Sequence, residues 1–398
     1  MKNFADRTVD VAFSPVRKVL EQAEQMQEKG ERVIHLEIGE PDFHTPSHIV
    51  EATQKALTNG YTHYFPNRGY LPLRQAIKER LLQTGKVLYN PDSEIILTAG
   101  AAEGILDAIL GLVDPGDEVI GFTPAFMNYK NATILAGAKF VEIALRQENN
   151  FQIDIEELKR AITPRTRMIV LNNPQNPCGT VHKAEILEEL AELARQNDLL
   201  VLSDEIYDSI LYDGASFCSV ASLPGMKERT ICINGFSKSF AMTGWRVGYL
   251  ATDKALLPAV LKLHQYNTCC IPSFIQVALT ETMNHTNSLC STRNMVSQFE
   301  KRRALLLRGL GAIPDLSFVA PMGAFYMMIN VEKTGLSGTV FAERLLREQA
   351  VAVVPGIGFG DAFGRYIRIS FAASTDDILE GVKRIGAFAA SLPEAESD

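Results

Sequence analysis

The sequence predicts an α/β fold, a mostly parallel central sheet with helices on both faces, plus a smaller α+β domain. Two observations support this prediction. Short, nearly continuous apolar runs recur between residues 94 and 252, and helical patterns such as 183–197 separate most of them. Strands of this kind, joined by helical crossovers, form parallel sheets that are covered on both faces. The pattern changes after about residue 290, where a long helix precedes a short mixed segment.

The first elements are defined by their termini. Ser14 is placed to cap a first helix, and Gly30 is placed to end it. The apolar run 33–39 predicts a short strand. A second helix is predicted over 45–60, with Thr45 as its N-cap.

The predicted strands of the large sheet are, in chain order, 94–100, 118–122, 139–145, 167–173, 199–205, 230–236 and 247–252. A helix over roughly 291–311 follows, and then strands 323–330, 350–356 and 366–372 alternate with helices 339–349 and 375–391. We therefore expect three parts. They are an N-terminal arm and helix (1–45) that packs with the small domain, a large ligand-binding domain (46–290), and a small C-terminal domain (291–398).

Composition excludes several classes of protein. The 398 residues carry a formal net charge of −8 and no basic run, which disfavours nucleic acid and anionic membranes as partners. No segment approaches the roughly 18 uninterrupted apolar residues of a membrane helix, and the N-terminus lacks an apolar signal core. The six cysteines show no metal-ligand spacing. We expect a cytoplasmic protein without a metal site.

Unusual polar segments follow four of the predicted strands. They are TAGAAEG (98–104), NNPQNPCG (172–179), SDEIYD (203–208) and NGFSK (234–238). Each has a structural explanation when taken alone, since Gly100 permits a tight turn and Asp204 suits a helix N-cap. Because ligands of α/β sheets bind at the carboxyl ends of the strands, all four together indicate one binding site.

The strongest motif is GFSK at 235–238, followed by AM at 241–242, Gly244 and RVG at 246–248. With NPQNPCG, SDEIY and the late YIRISFA in the same order, the chain resembles the fold-type I aminotransferases of class I/II over nearly its whole length. These enzymes depend on pyridoxal 5′-phosphate (PLP). The resemblance implies a homodimer that moves the amino group of an L-amino acid to a 2-oxo acid through a pyridoxamine form of the cofactor.

The resemblance implies three catalytic residues. Lys238 would bind the cofactor covalently, since a desolvated amine near cationic groups has a lowered pKa and is a nucleophile near neutral pH. Asp204 would pair with the protonated ring nitrogen and keep the ring electron-withdrawing. Tyr207 would hydrogen-bond the phenolic oxygen of the ring.

The resemblance also implies the residues that hold the cofactor phosphate. Arg246 would bind it with its guanidinium group, and Ser237 would add a hydroxyl. Gly100, Ala101 and Ala102 lie at a predicted helix start, where free backbone N–H groups and the helix dipole favour phosphate.

Further contacts follow from the same resemblance. Phe126 matches the aromatic residue that stacks on the ring, although plain core packing also explains it. Asn176 would share the phenolic oxygen, and Tyr64 would reach the phosphate bound by the neighbouring subunit. Gly39 would lie near the substrate carboxylate, and Arg368 would bind that carboxylate in a bidentate pair.

Two positions depart from the common family pattern, because Gly235 replaces a frequent serine and Cys178 a frequent threonine. Neither affects the prediction of PLP binding. A carbon–sulfur β-lyase, a cyclase-like lyase or a racemase would use the same cofactor contacts and stays open. An effector-sensing regulator is disfavoured, because only about 30 residues precede the first strand and the chain is acidic.

The substrate side chain is predicted to be neutral or apolar, with glutamate or alanine as the second partner. Some aspartate-using relatives carry a lysine where this chain has Ala102, and Phe13 of the arm offers no charge. A buried dicarboxylate needs a second cation. Arg68 from across the interface, or less plausibly Arg17, is the candidate that would overturn this prediction.

Overall fold

The computed structural model of the protein describes residues 4–393, so residues 1–3 and 394–398 of the predicted first and third parts lie outside the described residues. Within this range the helices are α1 (Pro15–Glu28), α2 (Ser47–Thr58), α3 (Leu71–Thr84), α4 (Ala101–Leu112), α5 (Asn128–Leu135), α6 (Ile155–Ala161), α7 (Ala184–Gln196), α8 (Leu257–Asn267), α9 (Ser273–Thr282), α10 (Thr286–Leu310), α11 (Gly338–Gln349) and α12 (Thr375–Ala390). The strands are β1 (Ile34–His35), β2 (Ile95–Thr98), β3 (Glu118–Thr123), β4 (Lys139–Ala144), β5 (Thr166–Asn172), β6 (Leu200–Asp204), β7 (Thr230–Gly235), β8 (Gly248–Ala251), β9 (Ser317–Phe318), β10 (Tyr326–Asn330), β11 (Val351–Ala352), β12 (Val354–Pro355) and β13 (Tyr366–Ser370).

The central sheet has seven strands in the order β2-β8-β7-β6-β5-β3-β4. All neighbouring pairs are parallel except those of β8, which runs antiparallel to both β2 and β7. The predicted fold class, a mostly parallel sheet covered by helices, is confirmed. The antiparallel direction of β8 is a feature that strand composition alone does not indicate.

Helices cover both faces of this sheet. On one face, Ile105 and Ile109 of α4 belong to the same apolar cluster as Ile231 and Ile233 of β7. A second apolar cluster joins α7 to strands β3, β5 and β6. Both faces of the strands are thereby removed from water, which explains why the strand sequences are almost continuously apolar.

The C-terminal part forms a four-stranded antiparallel sheet in the order β12-β13-β10-β9. Its core contains side chains from α10, α11 and α12. The N-terminal segment contacts this part, because β1 pairs in parallel with β11 and Val19 of α1 packs with Leu346. The two boundaries proposed between the three parts stay predictions.

The predicted strand 33–39 is shorter than expected, since only Ile34–His35 pair as a strand. Farther along, the carbonyl groups of Glu37 and Gly39 accept hydrogen bonds from the side chains of Arg368 and Lys238. Helix α2 begins at Ser47, so Thr45 is not its N-cap as predicted. The Thr45 hydroxyl donates to the carbonyl of Ala241 (2.7 Å) and accepts from the indole N–H of Trp245 (2.9 Å). Long-range contacts replace the expected local cap.

Between residues 4 and 393, no helix combines the length and the apolar character needed to cross a membrane.

Candidate active site

A cavity of about 710 Å³ lies between the central sheet and the C-terminal part. Asn172 and Asp204 reach it from the ends of β5 and β6, and Lys238 reaches it from the segment after β7. Arg368 enters from β13 of the smaller sheet. The segments predicted to meet at the carboxyl ends of the strands therefore do meet, and the small sheet adds a cation that faces them.

Lys238 is the amine of the cavity. Its Nζ donates a 2.6 Å hydrogen bond to the carbonyl of Gly39 and lies 5.9 Å from the centre of the Phe325 ring. Burial lowers the pKa of Lys238 to about 8; the charge of Glu40 opposes this shift and that of Arg368 adds to it. A substantial fraction of the amine is therefore neutral near physiological pH.

Asp204 is 4% exposed and holds its carboxylate in two hydrogen bonds. Oδ2 accepts from the hydroxyl of Tyr129 (2.7 Å), and Oδ1 accepts from the backbone N–H of Ile206 (3.2 Å). Burial raises the pKa of Asp204 to about 6, although both hydrogen bonds and the charge of Lys238 oppose the shift. A turn rather than a helix follows at 206–209, so Asp204 does not cap a helix.

Two tyrosines line the cavity between the lysine and the arginine. The hydroxyl groups of Tyr207 and Tyr326 lie 3.0 Å apart, and Tyr326 also donates to the carbonyl of Gly39 (3.2 Å). Burial raises the pKa of both phenols, so they are neutral hydrogen-bonding groups. Tyr326 was not among the predicted site residues. Tyr326 lies two residues before Met328 on β10, and Met328 pairs with Arg368 of β13. Only this strand pairing shows that Tyr326 lies near Arg368.

Arg368 is a guanidinium group buried among aromatic rings. It lies 4.7 Å from the centre of the Tyr326 ring and 5.0 Å from that of Phe359, and it is 3% exposed. It donates to Oδ1 of Asn176 (3.5 Å) and to the carbonyl of Glu37, while Nε has no partner among the described residues. A buried cation with an unused donor, facing a cavity, suits an anionic ligand.

Asn172 connects the ends of two neighbouring strands. Its side-chain N–H group donates to the carbonyl of Asp204 (3.0 Å), and its Oδ1 accepts from the backbone N–H of Asn176 (2.8 Å). Asn172 thus holds the backbones of Asp204 and Asn176 relative to each other. The sequence contained it within NNPQNPCG, but nothing in the motif separated its role from that of a turn residue.

The other end of the cavity has the character of an anion site. Helix α4 starts there after Gly100, whose φ of +82° lies in the left-handed region. A Cβ at Gly100 would lie 2.5 Å from Nη2 of Arg246, so only glycine leaves room for this guanidinium group. The wall is completed by Ala101, Ala102, Ser237 and Thr243. Free N–H groups at the helix start and a cation face the same space.

Of the remaining predicted residues, some line the cavity and others lie away from it. Phe126 lines the cavity, and its ring meets that of Tyr129 edge-on at 5.9 Å. Tyr64 is 86% exposed and does not line the cavity of its own chain. Phe13 and Arg17 lie at the cavity rim. The Arg68 side chain instead donates to the carbonyl of residue 92, away from the cavity of its own chain.

Comparisons with known proteins agree with this site. The sequence model of the family described as aminotransferase class I and II matches residues 31–385. The aspartate aminotransferase of Pyrococcus abyssi is 41% identical, covering 96% of this chain and 97% of that one. Aromatic-amino-acid aminotransferase 2 of Thermococcus litoralis is 40% identical, with coverage of 96% and 97%. The structure of the Thermus thermophilus aspartate aminotransferase with maleate superposes with a TM-score of 0.93 at 36% identity, covering 97% and 100%.

The chain therefore belongs to the class I and II aminotransferase family and is a PLP-dependent aminotransferase of fold type I. The predictions of family, fold class and enzyme class are confirmed. The relatives named above are aminotransferases, which favours amino-group transfer over the lyase and effector-sensing alternatives.

Proposed function

We propose that PLP binds in this cavity through Lys238 and that the chain transfers the amino group of an L-amino acid to a 2-oxo acid. The observation that carries the proposal is the convergence of an amine (Lys238), a carboxylate (Asp204) and a guanidinium group (Arg368) from three different elements. The residues present fit the cofactor, since Gly100 lets the Arg246 guanidinium group lie against the start of α4 and Nε of Arg368 has no partner among residues 4–393.

The cofactor phosphate would lie at the start of α4. Arg246 supplies the charge, Ser237 supplies a hydroxyl, and the N–H groups of Ala101 and Ala102 complete the site. Tyr64 would add its hydroxyl from the partner subunit. Its high exposure supports this role, because a large aromatic side chain on the surface of one chain suits an interface between two.

The cofactor ring would lie between the phosphate site and the arginine. Asp204, Tyr207, Asn176 and Phe126 all line this part of the cavity. Asp204 would hold the ring nitrogen in its protonated form, Tyr207 and Asn176 would hydrogen-bond the phenolic oxygen, and Phe126 would pack on the ring. Bound PLP supplies an electron-withdrawing ring that stabilises the negative charge left on the substrate Cα after proton removal.

The protein moves the proton. With the cofactor and substrate bound, the amine of Lys238 would take the proton from the substrate Cα. The lowered pKa of Lys238, about 8, matches this task, since an efficient general base titrates near the working pH. Arg368 and Asn176 would hold the substrate carboxylate and so orient the substrate Cα relative to the lysine.

The substrate side chain would extend toward the cavity rim. The wall there is largely apolar and includes Phe13, Leu20, Ile38, Met127 and Phe359. This supports neutral or apolar amino acids, including aromatic ones, as donors, with glutamate or alanine as the second partner. The relatives named above include both aspartate and aromatic aminotransferases, and Arg17 is the cation that this chain itself offers at the rim.

Half-reactions test the substrate. Each of L-aspartate, L-glutamate, L-alanine, L-methionine and L-phenylalanine is mixed with the PLP enzyme, and the 2-oxo acid released per site is measured. We expect the neutral and aromatic acids to react fastest. If aspartate reacts fastest and Arg17→Ala or Arg68→Ala abolishes only the acidic substrates, the preference is wrong and that arginine sets it. If no amino acid releases a 2-oxo acid, the transfer reaction itself is contradicted.

The active unit is proposed to be a homodimer in the cytoplasm. All six cysteines, which lie within the described residues, are free, as is usual in a reducing compartment. Sedimentation analysis of the purified PLP enzyme tests the dimer, and a fully active monomer would contradict it.

A further inference from the structure

A buried polar cluster lies next to the start of α4, outside the cavity. It consists of Glu103, Asp107, His264 and Thr268 and is called here the α4–α8 cluster, because it joins these two helices. None of these four residues lines the cavity. Asp107 and His264 are 1% and 0% exposed. Ionisable groups buried this deeply need a compensating interaction.

The carboxylate of Glu103 is the centre of the cluster. Its Oε1 lies 3.0 Å from Nδ1 of His264 and accepts a hydrogen bond from the Thr268 hydroxyl. Its Oε2 accepts from the backbone N–H of Ala99. One carboxylate thus links the end of α8 to the turn that precedes α4.

Charge compensation explains how the cluster tolerates burial. Burial lowers the pKa of His264, but the hydrogen bond and charge of Glu103, together with the charge of Asp107 and the backbone of Asn67, raise the pKa overall. The pKa of Glu103 is lowered, because the hydrogen bonds from His264 and Thr268 outweigh the effect of burial. Burial and the charge of Glu103 raise the pKa of Asp107 to about 7. Both shifts favour the charged forms of His264 and Glu103, whose charges are opposite.

The turn held by Glu103 also carries the proposed phosphate site. The carbonyl of Ala99 accepts a 3.1 Å hydrogen bond from Nη2 of Arg246, and a second donor of Arg246 is held by the carbonyl of Thr243 (2.9 Å). Ala99 is thus fixed on one side by Glu103 and on the other by Arg246. Gly100, the next residue, lacks the Cβ that would lie 2.5 Å from Nη2 of Arg246, so the guanidinium group packs directly against the turn.

We propose that His264 is a positioning residue for the cofactor phosphate: it holds Glu103, and Glu103 holds the Ala99–Gly100 turn in the geometry that presents Arg246 and the start of α4 to the phosphate. This inference rests on the proposed cofactor site. His264 does not touch the cofactor, and its effect is confined to the phosphate end of the cavity.

The experiment compares PLP with pyridoxal, which lacks the phosphate. Affinities of both for the cofactor-free dimer are measured by absorbance for the wild type, His264→Leu, His264→Gln and Thr268→Val. We expect His264→Leu to weaken PLP about tenfold, the loss expected for one hydrogen bond to a charged group, and to leave pyridoxal within about twofold of wild type. His264→Gln keeps a donor toward Glu103 and should restore most of the affinity. Thr268→Val should lower the affinity for PLP by a smaller factor and leave the affinity for pyridoxal nearly unchanged.

The controls separate this role from general stability and from a bound metal ion. His48→Gln changes another histidine that contacts one hydroxyl, that of Ser288 (2.6 Å), and should leave both affinities unchanged. If His264→Leu lowers the affinities for PLP and pyridoxal equally, or lowers neither, the proposal is overturned. If His264→Leu does not fold, the same comparison of the two affinities in Thr268→Val decides the question. A wild-type affinity that falls with EDTA and returns with Mn²⁺ would mean that the cluster holds a cation, which also overturns it. A wild type that binds pyridoxal and PLP equally contradicts the phosphate site of the proposed function instead.

Discussion

The phenol of Tyr129 donates a 2.7 Å hydrogen bond to Oδ2 of Asp204 and so joins α5 to the end of β6. Both side chains are buried, and burial raises the pKa of Asp204 to about 6, while this hydrogen bond lowers it. Because a donor to the ionised form favours that form, Tyr129 keeps Asp204 charged near neutral pH.

Tyr129→Phe should therefore raise the pKa of Asp204. In the proposed function the carboxylate is the active form, so activity is lost as the pH falls through its pKa. The acid limb of the kcat/KM profile should therefore move up by about one pH unit. A pH–rate profile measures this shift. Tyr89→Phe removes the hydroxyl of another buried tyrosine, which contacts Cys232, and should leave the profile unchanged. An acid limb that stays in place in Tyr129→Phe would show that Asp204 does not set it.

Asp204→Asn should lower kcat by about a thousandfold or more, because a neutral amide cannot stabilise a protonated ring nitrogen in a buried site. Stopped-flow half-reactions measure the loss. The neighbouring Glu205 is the matched control: burial raises the pKa of Glu205 to about 8, so it is largely protonated at pH 7 and Glu205→Gln replaces a neutral group of the same shape. Glu205→Gln should keep near-wild-type turnover. Equal losses in both variants would mean that Asp204 acts only through packing.

The rate of PLP capture by the cofactor-free protein should rise about tenfold per pH unit up to pH about 8 and then level off. The neutral amine is the nucleophile, and burial lowers the pKa of Lys238 to about 8 from the ordinary 10.5. Absorbance at the wavelength of bound PLP follows the reaction, and free lysine, whose rate still rises above pH 9, is the reference.

Lys238→Ala should show no covalent capture. Borohydride trapping followed by peptide mapping identifies the labelled residue. A label on another lysine would rule out Lys238 as the attachment site.

Arg368→Lys should lower kcat/KM for every amino acid roughly a hundredfold, which corresponds to an activation free energy higher by about 3 kcal/mol. The reason is that a point charge replaces a guanidinium fork beside a carboxylate. Simple primary amines, which lack the carboxylate, should react unchanged. Arg303→Lys is the control, since Arg303 is equally buried but binds Asp213, outside the cavity. If kcat/KM for the simple amines falls as much as kcat/KM for the amino acids, Arg368 does not bind the substrate carboxylate.

The partner-subunit role of Tyr64 is testable by subunit mixing. Tyr64→Ala and Lys238→Ala homodimers should both be impaired, the first in PLP affinity and the second in turnover. In a mixed dimer, one site carries both changes and the other carries neither, so mixing should restore activity at limiting PLP. No recovery in dimers verified by mass spectrometry would mean that Tyr64 serves the site of its own chain.

The local chemistry of the chain was sufficient to predict the alternation of elements and the meeting of the polar segments in one cavity. Apolar strand runs followed by polar segments identify the carboxyl edge of a sheet whichever residues pack around it. The local cap assigned to Thr45 was wrong, because a hydroxyl that suits a helix start also suits the carbonyl of Ala241 nearly 200 positions away. No local pattern distinguishes between such partners.

By itself, the sequence determined the fold class, the enzyme family and the order of the motif residues, since these follow from periodicity and from short motifs whose members are close in the chain. Only the tertiary structure decided the antiparallel direction of β8, the hydrogen bond from Tyr129 to Asp204, the aromatic surroundings of Arg368 and the link from His264 through Glu103 to Ala99. These features depend on the packing of elements distant in sequence, and their energies arise from burial and from hydrogen-bond partners that the chain supplies only once it is folded.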